Sequence, residues 1–167
     1  MFSHRASVPS STYPLVVDLN APPYAPEGLN VVQHLPHPGN EGLFVWHQPA
    51  VNFSRDDDQL AHDGLNACIL RERLLKKPGV CVFNANLLDF LAHHPAIIPK
   101  EKAAIEDPEI VFFGTIYADV QGALYVRTLR YVEGSWVQST LWLGASCNRR
   151  YYAALWNENW LDQVSLN

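Results

Sequence analysis

At 167 residues the chain has the size of one domain, long enough to bury roughly 70% of its unfolded surface and to fold without a disulfide or a metal. It is 48% apolar and only 17% charged, with a net charge of −5 and its 12 Lys and Arg scattered. Nucleic acid, which is held by clustered cations, is therefore not an expected partner, and the neutral surface suits contacts with a protein or with a second copy.

No apolar run approaches the roughly 18 residues of a membrane span. The N-terminus has no basic region followed by an apolar core, so no signal peptide is expected. Cys68, Cys81 and Cys147 are odd in number and lack CxxC spacing, which fits buried thiols in a reducing, cytoplasmic setting.

Residues 1–40 hold seven prolines: Pro9, Pro14, Pro22, Pro23, Pro26, Pro36 and Pro38. Proline lacks an amide donor and restricts its predecessor to extended geometry, so this stretch reads as an arm. Two short apolar runs, 15–17 and 29–32, are candidate edge strands. Residues 43–53 are extended and apolar, with Pro49 marking an edge or a break.

The stretch 55–77 reads as one helix. Ser54 caps it, Asp56, Asp57 and Asp58 sit at its positive end, and Arg71, Arg73, Lys76 and Lys77 at its negative end. Pro78-Gly79 stops it. Ala61, Leu65, Cys68 and Ile69, continued by Leu74 or Leu75, form its buried stripe. Residues 79–83 are a short strand. Asn84 or Asn86 then caps a short helix over 87–93, ended by Pro95.

Residues 109–144 carry the firmest signal. Strands at about 109–118, 123–132 and 135–143 are joined by a longer turn at 119–122 and a two-residue turn at Glu133-Gly134. This register sets Tyr125 opposite Trp142, Arg127 opposite Thr140 and Tyr131 opposite Trp136, all on one face. The first strand adds Phe112, Gly114 and Ile116 to that face, with Gly114 beside Arg127. The other face carries Val111, Phe113, Leu124, Val126, Val137, Leu141 and Leu143, and is where the helices are expected. Residues 149–156 fit either a helix or a strand. The expected fold is one α+β domain, 1–167, with a mainly antiparallel sheet whose three-stranded C-terminal meander packs on one long and one short helix.

The residues from about Val82 to Trp156 resemble a recurrent module of small bacterial proteins. Its pattern is carried here by Asn84-Ala85-Asn86, Leu88-Asp89, Leu91, Pro95, Ile98-Pro99, Gly114–Tyr117, Gly122, Leu124–Arg127, Gly134, Trp136 and Trp142-Leu143. The chain departs from it at Phe113, where the module often has Trp, and at Tyr152-Ala153-Ala154, where it often has Pro-Ala-Ala. The resemblance covers under half of the chain. It implies a compact module of helix and strands and no particular activity.

Several groups could carry chemistry, and each has a plainer reading. His34, His37 and His47 could ligate a metal, but no Cys or carboxylate lies at a matching spacing, so neither a metal nor a cofactor is expected. Asp89 and His93 stand four apart on one helical face and with Arg127 could form an acid–base site; a histidine closing a helix has the simpler role of dipole partner. Asp56–Asp58 with His62 and Asp63 could attract a divalent cation, or simply open the helix. Cys147, near Arg149 and Arg150, is the one candidate thiolate, whereas Cys68 and Cys81 read as core.

Tyr125, Arg127, Tyr131, Trp136 and Trp142 make an aromatic surface with an arginine able to stack and to donate to an anion. No phosphate loop, dinucleotide fingerprint, metalloprotease helix or nucleophile elbow is present. The reading therefore leans away from an enzyme, toward a protein-interaction module built on that surface. A small hydrolase or nucleic-acid-processing enzyme using Asp, His and Arg is the alternative, and a binder of a small ligand between sheet and tail is a third.

Overall fold

A computed structural model describes residues 14–37, 40–46, 50–61, 64–99, 102 and 107–157. In chain order the elements are β1 (Val16–Asp18), β2 (Asn30–His34), β3 (Leu43–Val45), β4 (Val51–Ser54), α1 (Asp57–Ala61), β5 (Leu65–Asn66), α2 (Ala67–Lys76), β6 (Val80–Val82) and α3 (Ala85–His93). There follow β7 (Glu109–Ala118), β8 (Leu124–Val132), β9 (Ser135–Trp142), β10 (Ser146–Cys147) and β11 (Tyr151–Asn157). The protein is α+β and rich in sheet, and its strands pair antiparallel except for β11 with β7.

The main sheet runs β4–β11–β7–β8–β9, with β2 added beside β7 and β6 beside β11. One flank of β7 serves three segments in turn. Residues 109–111 pair with β11, the Gly114 amide donates to the Phe83 carbonyl at 2.9 Å, and residues 115–118 pair with β2. The described part of the proline-rich arm thus folds back onto its own chain. β1 and β3 form a separate ribbon, as do β5 and β10.

Glu133 and Gly134 have φ of 49° and 85°, the two left-handed residues of a turn that matches strand twist. From it β8 and β9 pair with Tyr125 opposite Trp142, Arg127 opposite Thr140 and Tyr131 opposite Trp136.

Between β7 and β8 the register slips. Phe112 faces Arg127 and Tyr117 faces Tyr125, so five residues of β7 span two of β8. An odd excess of residues flips the side chains to the other face. Tyr117, not Ile116, shares the face of Tyr125, and Gly114 is not beside Arg127. Gly114 lies instead against Asn84, whose backbone a Cβ there would approach to 2.9 Å.

The expected long helix is two. Gly64, at φ 124°, lies against Ser146 and Cys147, and the chain pairs as β5 before helix resumes. Asn66, not Ser54, caps α2 by accepting from the Cys68 and Ile69 amides. With that new start the buried stripe becomes Ala67, Leu70 and Leu74, while Cys68, Ile69 and Leu75 are exposed. The region at 149–156 is the strand β11.

Each face of the sheet carries a helix. On one side α2 meets Val111, Phe113, Ile116, Val126, Leu141 and Leu143. On the other, Leu87, Leu88 and Leu91 of α3 meet Ile110, Phe112 and Leu129. The expectation that the helices gather on the aliphatic face therefore fails for α3, because its own apolar stripe needs the Phe112 side.

Candidate functional site

Arg127 stands at the centre of the face that α3 covers. It is 1% exposed, and a buried charge needs both a partner and saturated hydrogen bonds. Asp89 of α3 supplies them. Arg127 Nη1 donates to Oδ2 at 3.0 Å and Nη2 to Oδ1 at 2.6 Å, the two-pronged geometry that suits a guanidinium. Nη2 also donates to Gln138 Oε1 at 2.6 Å, and the Tyr24 ring lies 5.1 Å from the guanidinium carbon. Burial acts to lower the Arg127 pKa, but the Asp89 carboxylate outweighs it, with help from Tyr117, and the net shift is upward. Burial likewise pushes the Tyr117 hydroxyl up, with Arg127 opposing, and that hydroxyl donates to the Tyr24 carbonyl at 3.0 Å.

Asp89 is 28% exposed and reaches an open hollow of about 440 Å³ lined also by Tyr24, Asn86, Phe90, His93 and His94. His93 and Asp89 do meet, but Nδ1 of His93 contacts the Asp89 backbone oxygen at 2.6 Å, not its carboxylate. Both carboxylate oxygens face Arg127. Of the three expected catalytic candidates, Asp89 and Arg127 brace helix to sheet, while His93 bonds back within α3 and does not reach the carboxylate.

A second polar knot lies where β7 changes partners. Asn84 Nδ2 donates to the carbonyls of Leu19 at 2.6 Å and Leu35 at 3.1 Å. Asn86 Nδ2 donates to those of Asp18 at 3.0 Å and Ala21 at 2.8 Å. Thr115 Oγ1 accepts the Ala85 amide and lies 2.9 Å from His34 Nδ1, while His34 Nε2 meets the Leu19 carbonyl. The asparagines of the resembling pattern therefore clamp the arm to the sheet. His34 is held inside this knot, and His37 sits among the rings of Phe44, Phe83 and Trp156. His47, His62 and Asp63 lie outside the described residues. Asp56 and Asp58 pair with Arg73, and among the described residues no three His, Cys, Asp or Glu side chains gather to hold a metal ion.

Cys147 is buried, and burial, with Glu109 nearby, pushes its thiol up to about 12. Arg150 does pull the thiol down, as expected, but burial and Glu109 outweigh it, and the Arg150 side chain is itself engaged with the Tyr151 hydroxyl and Glu109. Cys68, expected in the core, is exposed.

The aromatic surface is divided. α3 covers the part nearest Arg127, and the turn Pro95–Ile97 after it lies toward Tyr131 and Trp136. Tyr131 and Trp136, their rings 5.1 Å apart, remain half-buried beside a hollow of about 260 Å³ with Pro95 and Ile98. Trp142 is 54% exposed and Val137, on the other face, 42%. Tyr125 lies half-buried and donates to Asp119.

Among the described residues no strand pairs with the outer side of β9. The Leu143 amide donates to the Leu124 carbonyl, which sets the alternation. Odd residues of β9 bond to β8, and Trp136, Gln138, Thr140 and Trp142 turn their amides and carbonyls outward. The Trp142 carbonyl accepts the Ala145 amide.

Gln138 and Tyr24 are partners of Arg127 that the sequence reading missed. Gln138 was findable as the diagonal cross-strand neighbour of Arg127; nothing in the sequence marks Tyr24. No described helix is long and apolar enough to cross a membrane. Comparison with protein-family models, curated proteins and solved structures found no match.

Proposed function

We propose that the chain is a non-enzymatic protein-interaction module whose contact surface is β9 and the aromatic side chains around it, Trp142, Trp136, Tyr131 and Tyr125. The observation that carries this reading is an uncharged eight-residue strand with no described strand on its outer edge, and with Trp142 and Val137 exposed on its two faces. Edge strands are ordinarily protected by charge, proline or a bulge, because their free amides and carbonyls template another chain. β9 carries none of these. Exposed tryptophan and tyrosine are the side chains that contribute most at interfaces. Arg127 supports the surface from beneath by fixing Gln138. Three cysteines, none of them in a disulfide, fit work in a reducing compartment such as the cytoplasm.

The experiment is position-specific photo-cross-linking in cells. A photoreactive residue at Trp142 or Gln138 is expected to give discrete protein adducts that disappear when Trp136→Ala is added. The same residue at Val120, exposed on the turn after β7, is expected to give none. Equal labelling from all three positions would overturn the reading.

A further inference from the structure

The outer strand is self-complementary. From Trp136 to Trp142 it reads Trp-Val-Gln-Ser-Thr-Leu-Trp, the same by chemical class in either direction about Ser139. We propose that the partner of this surface is a second copy of the chain, its β9 pairing antiparallel with the first across a twofold axis at Ser139. This deepens the interaction reading above and rests on it.

Antiparallel pairing demands that outward-turned residues meet outward-turned residues. With the axis at Ser139, Trp136 of one copy meets Trp142 of the other and Gln138 meets Thr140, all four being outward-turned, the Trp142 carbonyl being shared with the Ala145 amide. On the opposite face Val137 meets Leu141, and Ser139 meets its own counterpart. Each cross-strand pair is like with like, no charge opposes a charge, and residues 136–142 of β9 are all used. Aromatic pairs across strands are among those that stabilise a sheet. An axis at Gln138 or Thr140 would also match outward residues, but it would set a tryptophan beyond the end of the partner strand. The result is one continuous sheet with β9 at its centre in place of two exposed edges.

Because Ser139 bonds inward to β8, the Ser139–Ser139 pair is a non-hydrogen-bonded one, with Cα atoms about 4.5 Å apart. That lies in the range a disulfide spans, roughly 4.4–6.8 Å. The test is made in a chain carrying Cys68→Ser, which removes the exposed native thiol. Under mild oxidation Ser139→Cys is expected to form a covalent dimer, and Gln138→Cys alone is not. In sedimentation velocity the unmodified chain is expected to be a dimer. Thr140→Pro, which removes only an outward-turned amide, is expected to weaken association at least tenfold with its far-UV circular dichroism unchanged.

A chain that stays monomeric at the highest attainable concentration would overturn self-pairing; photo-cross-links from position 142 to a different protein would then leave the interaction surface itself standing. A dimer that survives Thr140→Pro and in which Ser139→Cys does not cross-link would also overturn it, by moving the dimer contact elsewhere.

Discussion

The surroundings of Arg127 and the outer side of β9 are one strand apart and opposite in kind. At Arg127 a charge, a carboxylate, an amide and a ring are gathered, and every one is used within the chain. At β9 there is no charge at all, yet among the described residues the backbone amides of 136, 138, 140 and 142 have no partner strand. Conspicuous polar residues became internal bracing, and capacity for recognition rests with a strand of ordinary composition. Buried ionic groups must be satisfied locally or they destabilise the fold, so a well-packed protein tends to consume them. A sheet edge has no such requirement.

The contrast can be broken most severely at the brace. Asp89→Ala leaves Arg127 buried and uncompensated, which should cost about 3–5 kcal/mol in urea unfolding. Replacing both partners together, Asp89→Leu with Arg127→Met, should cost less than Asp89→Ala alone. A double variant worse than either single one would show that the pair does not act as a unit. Next in size, Asn84→Ala removes the amide that donates to the carbonyls of Leu19 and Leu35, and about 1–3 kcal/mol should be lost. Hydrogen exchange should then quicken in β2 ahead of β8; uniform loosening would count against the clamp. Smallest, Trp142→Ala should alter unfolding by no more than about 0.5 kcal/mol, as for most exposed positions, although it removes the largest exposed side chain of β9. A stability loss comparable to that of Asn84→Ala would place Trp142 in the core and remove it from the contact surface.

The β8–β9 register was legible because Glu133-Gly134 permits one tight turn, and turn length sets pairing. The aromatic set followed from that register. The β7–β8 slip was not legible, because it depends on Phe83 and Asn84 entering beside Gly114, a contact between segments thirty positions apart. The break in the helix was half visible. Gly64 stood out, but its neighbours Ser146 and Cys147 come from the far end of the chain. Arg127 was singled out as a stacked arginine open to an anion, and Asp89 as the acid–base partner of His93, with a site joining all three as the enzyme reading. Spacing along the chain brought them to notice, and only the position of α3 on that face determined that they would neutralise each other.

The last described strand, β11, lies inside the sheet, with β4 on one flank and β7 and β6 on the other. A chain emerging from the ribosome therefore makes β4, β6 and β7 long before the strand that unites them. Until residues 151–157 are available, those three present vacant pairing sites and the Glu109–Val111 segment lacks its neighbour on that flank. Closure by so distant a segment is the kind of contact that slows folding and that leaves unpaired strands exposed to association in the meantime. The sheet is completed from its middle, and its two halves gain stability in a single late step.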